Sequence, residues 1–135
     1  MLKLVVGVKG TGKTKTLISM VNAATQVSNG AVICLEKGTN LQFDVSHDAR
    51  LINTDEFYIE NATTLYGFVA GCYASNHDIT HVFIDGSLKI CNHDMSALEA
   101  LVTKLAKLSE AYDISVVMTV SASPEDLPDS IKKYM

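Results

Sequence analysis

Residues 7 to 14 read Gly7-Val8-Lys9-Gly10-Thr11-Gly12-Lys13-Thr14, and no other stretch limits the fold so narrowly. The spacing is G-x-x-x-x-G-K-[ST], a pattern that carries weight only when a strand precedes it and a helix follows. Leu2-Lys3-Leu4-Val5-Val6 has the apolar character of a short buried strand, and Lys13 to about Val27 has the apolar spacing of a helix. A strand that turns through glycines straight into a helix leaves a ring of backbone N–H groups at the turn, backed by the positive end of the helix dipole. Glycines at 7, 10 and 12 are expected to permit positive φ and close approach of the backbone to a ligand. The predicted loop is an anion site made of main chain, with Lys9, Thr11, Lys13, Thr14 and Lys15 adding donors. A plain turn joining strand to helix is the bland alternative, and it gives the lysine no purpose.

The remaining elements alternate. Asn29-Gly30 ends the first helix, and Ala31-Val32-Ile33-Cys34-Leu35 reads as a second buried strand that stops at Glu36-Lys37-Gly38. Between Thr39 and Tyr58, Phe43-Asp44-Val45 and Arg50-Leu51-Ile52-Asn53 read as two short edge strands around a Ser46-His47-Asp48 turn. Asn61 is a good cap for a helix running to about Ser75. That helix has no charged residue from Asn61 to Asn76, and Gly67 and Gly71 stand four apart. A helix without a polar face is expected to be covered on both sides, either by the chain's own strands or by a subunit or partner.

His81-Val82-Phe83-Ile84-Asp85-Gly86 is a third strand, apolar until it ends on an aspartate. A further helix is expected from near Asp94 or Ser96, where Ser96-Ala97-Leu98-Glu99 has capping-box spacing. Leu98, Leu101, Val102, Leu105, Leu108 and Tyr112 form its apolar stripe. Ile114 to Val120 is a fourth strand ending in Ser121-Ala122-Ser123, and Pro124 and Pro128 frame short terminal helical turns. The 135 residues suit one domain, residues 1–135. Alternating strands and helices predict a three-layer α/β/α sandwich around a mostly parallel sheet, with the site at the strands' carboxyl ends.

At residues 7–14 the chain resembles the P-loop NTPases, and the aspartate-terminated strand at 82–85 resembles their Walker B segment. The resemblance implies that Lys13 reaches the β- and γ-phosphates of a bound ATP. It also implies that Thr14 and Asp85 hold Mg²⁺. It points to the additional-strand division, which includes the RecA-like ATPases. There the fourth strand lies between the first and the Walker B strand, and Ser121 is the candidate γ-phosphate sensor. Many such proteins place a glutamate directly after the Walker B aspartate, but Gly86 stands there in this chain. RecA-like members carry the glutamate at the end of a neighbouring strand, so Glu36 is the candidate catalytic carboxylate beside Lys13, with Asp55 and Glu56 as substitutes. Arg50, the single arginine, is the candidate finger across a subunit contact, or else an ordinary surface ion-pair partner.

Composition narrows the partners. A net charge of -4 and one arginine disfavour nucleic acid. Cys34, Cys72 and Cys91 have neither zinc nor disulfide spacing and are expected as buried, reduced thiols. No apolar run reaches membrane-spanning length and no leader precedes the glycine loop, so a cytoplasmic location without membrane contact is expected. Guanine specificity is disfavoured because no Asn-Lys-x-Asp occurs. A small-molecule kinase is disfavoured because such enzymes clamp their substrates with several arginines. The expectations that remain are a small ATP-binding protein with Mg²⁺-dependent ATPase activity, working as an oligomer or with a partner through the uncharged helix, or a nucleotide-gated interaction module with negligible turnover.

Overall fold

A computed structural model describes residues 1–135. Strand β1 (Leu2–Gly7) leads through the glycine loop into α1 (Lys13–Val27), whose Leu17, Val21 and Ala24 recur at helical spacing and are buried. Strands β2 (Ala31–Glu36), β3 (Ala49–Asn53), β4 (Ile79–Asp85) and β5 (Ser115–Ser121) complete a five-stranded sheet in the order β1-β5-β4-β2-β3. Every pairing is parallel. β5 therefore lies between β1 and β4, as expected for the fourth predicted strand, and β3 is the added edge.

The direction of each connection decides which face it covers. The chain moves one way across the sheet from β1 to β2 to β3, and the opposite way from β3 to β4 to β5. Right-handed crossovers then put α1 and the loop 37–48 on one face and the later helices on the other. Residues Leu41 and Val45 of that loop accordingly share a buried cluster with Leu17, Val21, Cys34, Phe83 and Val117. The opposite face is larger. There α2 (Ala62–Ser75), α3 (Ser87–Ile90), α4 (Met95–Tyr112) and α5 (Asp129–Lys132) contribute Leu65, Val69, Leu88, Leu98, Leu105 and Ile131 to a core shared with Leu4, Leu35, Ile84 and Met118. Fully burying a leucine of this kind contributes about 1.5–3 kcal/mol.

Two local expectations are corrected, and one open alternative is decided. Phe43–Val45 is a turn and not a strand, because burial at Leu41 and Val45 follows a helical four-residue step and leaves Phe43 exposed. Helix α2 is covered on one side only. Leu65 and Val69 face the core, while Thr63, Gly67 and Gly71 are open to solvent, so the missing charges mark a small, neutral outer face. Of the two starts expected for α4, Asp94 is the cap, its side chain accepting the Ala97 N–H at 3.1 Å, and Ser96 lies inside the helix that begins at Met95. Glu99 accepts instead from the hydroxyl of Ser130. Asn61 caps α2 as expected, accepting the Thr64 N–H at 2.9 Å while Thr64 Oγ1 accepts the Asn61 N–H at 3.1 Å. No helix is long and apolar enough to cross a membrane.

Candidate functional site

A cleft of about 320 Å³ opens at the carboxyl ends of β1, β4 and β5. The glycine loop, the first turn of α1, Asp85, Gly86, Thr119 and Ser121 line it, and none of its ten lining residues is hydrophobic. Lys9, Lys13 and Lys15 bring three ammonium groups to this wall, against the single carboxylate of Asp85. Six of the eight predicted loop residues line it: Lys9, Gly10, Gly12, Lys13, Thr14 and Lys15.

Gly7 and Thr11 act one step back. Gly7 is a strand residue and is absent from the positive-φ glycines, so the expected left-handed backbone does not occur there. Its lack of a side chain matters for space, since a Cβ would lie 2.5 Å from Thr11 Oγ1. Thr11 in turn donates to the Val8 carbonyl at 2.7 Å, and Lys13 Nζ donates to the same oxygen at 3.1 Å. One carbonyl thus gathers the loop's hydroxyl and its ammonium. Gly10 and Gly12 do take positive φ, 87° and 84°, which a side chain would strain.

Gly12 is also the N-cap of α1, and it offers no side-chain cap. The first turn contains no acidic residue and instead presents Lys13 and Lys15. The N–H groups at the helix start, the positive dipole end and two lysines therefore meet at one end of α1. That arrangement concentrates positive charge at the start of α1.

Across the strand ends runs a row of polar groups that the sheet register creates. Glu36 of β2 lies directly opposite Asp85 of β4 and opposite Asn53 of β3. One residue before Asp85, Ile84 lies opposite Met118, which brings Asp85 level with Thr119 of β5. Directly opposed residues share a sheet face, and this one is the α1 face, since Cys34 and Phe83 two residues earlier pack with Leu17 and Val21. Thr119, Asp85, Glu36 and Asn53 form one line across four strands.

Each member has a definite task. Thr119, 2% exposed, donates to Asp85 Oδ1 at 2.8 Å and accepts the Gly86 N–H at 2.8 Å, which fixes the carboxylate. Buried Ser87 donates to the Thr119 carbonyl at 2.6 Å and holds that strand end. Thr14 Oγ1 sits 3.4 Å from both oxygens of Asp85. A hydroxyl and a carboxylate are hard oxygen donors, and Mg²⁺ characteristically takes one or two carboxylates together with phosphate and water. The pair fits Mg²⁺ accompanied by phosphate.

Glu36 is placed differently. It is 3% exposed, does not line the cleft, and accepts the Leu41 N–H at 2.9 Å. Its carboxyl titrates above the ordinary range because burial penalises the charge and Asp85 adds repulsion, while the Leu41 and Asn40 N–H groups oppose the rise. Asn53 accepts the Gly38 and Asp55 N–H groups at 2.9 and 3.0 Å, so this half of the row anchors the loop 37–48. Asp55 pairs with Lys37 at 2.5 Å and Glu56 lines a separate groove beside α2, so neither lines the cleft. Arg50 lines that same groove and has no carboxylate within ion-pair distance, in contrast to the expected surface pair. The three cysteines are free; Cys34 and Cys91 are buried and Cys72 is half-buried.

Ser121 lines the cleft opposite Gly7, at the strand end where a sensor was expected. Thr119 was not anticipated from the sequence, although it is the one polar residue within Val116-Val117-Met118-Thr119-Val120 and has the strand parity of Ser121. No protein-family model matches the chain, and no curated protein matches it.

Proposed function

We propose that the chain binds a nucleoside triphosphate, ATP in the first instance, in the cleft at the ends of β1, β4 and β5, and hydrolyses it with Mg²⁺. The observation that carries this reading is the first turn of α1. It lacks both a side-chain cap and an acidic residue, and sets Lys13 and Lys15 against the dipole's positive end. A polyphosphate supplies the missing negative charge.

Lys13 exchanges the Val8 carbonyl for phosphate oxygens, while the N–H groups of residues 10 to 14 orient the chain of phosphates. Thr14 and Asp85 hold the metal, and Thr119 keeps Asp85 in one orientation. Mg²⁺ held there by Thr14 and Asp85 would supply charge neutralisation for the phosphoryl group. Ser121 lines the same cleft as Lys13 and is the candidate to meet the terminal phosphate. Glu36 is the carboxylate level with Asp85 and the candidate for orienting water, which requires that it leave Leu41.

That requirement supports a second reading. With Glu36 buried and engaged by Leu41, and with Gly86 after Asp85, the chain is a nucleotide-gated module that binds and turns over slowly. The test is ATP binding and phosphate release by the full chain with and without Mg²⁺, beside Lys13→Ala. Lys13→Ala is expected to lose roughly 100-fold in affinity. Unchanged affinity in that variant would overturn the site assignment, and binding without phosphate release would select the second reading.

A further inference from the structure

We infer that this cleft recognises the triphosphate group and not the base, so that ATP, GTP and inorganic triphosphate are equivalent ligands. The inference rests on the proposed function, and it assigns the substrate class of that site. Its warrant is what the walls are made of. Ordinary small-molecule sites are lined predominantly by apolar and aromatic side chains, with a few polar groups to orient the ligand. Here the proportions are reversed, because none of the ten lining residues is hydrophobic and no ring is among them.

The recognition groups that are present all speak to phosphate. Lys9, Lys13 and Lys15 surround the cleft, and Gly10 and Gly12 open their backbone to it with nothing within 4 Å of where a side chain would be. Three ammoniums against the one carboxylate of Asp85 leave a local excess of positive charge in a chain whose net charge is -4. A triphosphate with Mg²⁺ matches that excess, and a neutral base adds nothing to it. The size agrees, since about 320 Å³ lies at the small end of ligand clefts. These walls offer a base neither a ring to stack on nor an apolar face.

The test is calorimetric titration of the full chain with ATP, GTP, inorganic triphosphate and adenosine, each with Mg²⁺, repeated with Lys15→Ala. The three triphosphates are expected to bind within about threefold of one another, and adenosine to give no binding heat. Lys15→Ala is expected to weaken all three by the same factor. Preference for ATP over GTP or triphosphate by roughly tenfold or more, the scale of a stacked base, would overturn the inference while leaving the proposed function intact. Failure of every triphosphate to bind would overturn both. A loss in Lys15→Ala confined to the two nucleotides would also overturn the inference, because it would place that lysine on the nucleoside.

Discussion

Glu36 and Asp85 stand directly opposite each other on β2 and β4, two carboxylates on one sheet face. They are separated by surroundings as well as by strand, since Asp85 lines the cleft and buried Glu36 accepts the Leu41 N–H. Burial and the neighbouring charge raise the Glu36 carboxyl, so the folded chain holds that proton more tightly than the unfolded chain does. Stability from this group is therefore greatest below the unfolded carboxyl value of about 4.3 and falls as pH rises through the folded value. Glu36→Gln keeps an acceptor for Leu41 and removes the titration. Denaturant midpoints measured from pH 4 to pH 8 are expected to favour the variant increasingly as pH rises. A constant difference across that range would mean that Glu36 is not strained by its charge.

Thr119 has two bonds at 2.8 Å, one given to Asp85 and one received from the Gly86 N–H. Thr119→Val keeps the shape and removes both bonds, at a cost of about 1–3 kcal/mol. The informative readout is Mg²⁺ dependence, because a freely rotating Asp85 weakens metal-assisted binding more than metal-free binding. Thr119→Ser restores the hydroxyl and is expected to recover the Mg²⁺ response. If valine lowers stability yet leaves the Mg²⁺ titration unchanged, Thr119 supports the sheet only.

The contact between Gly7 and Thr11 makes a prediction about pairs. An alanine at 7 would set its Cβ 2.5 Å from Thr11 Oγ1, forcing Thr11 off the Val8 carbonyl. Gly7→Ala is expected to weaken triphosphate binding roughly tenfold, and Gly7→Ala combined with Thr11→Ala to weaken it less than additivity requires. Additive losses would show that residue 7 meets the ligand and not the threonine.

What could be read from the sequence follows from how local each cause is. The loop, α1 and the Asn61 cap depend on neighbours within four residues, and they formed where expected. Asp85 was legible because its apolar strand, ending on a carboxylate, follows the glycine loop by about seventy residues. The inner contacts of the site were not, since Thr119 and Asp85 meet only when β5 inserts beside β4. Glu36 was visible as a strand end, but its burial depends on the loop that folds back through Leu41. That loop misled because Leu41 and Val45, four apart, look like neither a strand nor a full helix. The bare outer face of α2 shows the same limit: a sequence without charges says nothing about what lies against it.

Arg50 supplies the last test. Its strand position opposite Ile33 puts it on the face away from Glu36 and Asp85, and it lines the groove beside Cys72 and Phe68. Burial raises the Cys72 thiol, and the positive charge of Arg50 partly offsets that rise. Arg50 does not line its own chain's cleft. Arg50→Ala is therefore expected to leave ATP affinity within about twofold, far from the loss expected for Lys13→Ala. Phosphate release should be followed over a hundredfold range of protein concentration, roughly 0.1 to 10 μM, in both the parent and Arg50→Ala. An arginine acting between subunits would make specific activity rise with concentration in the parent alone, because only an assembled contact brings one chain's guanidinium to another's terminal phosphate. The expected result is two parallel, flat profiles, which would leave hydrolysis to the residues of a single cleft.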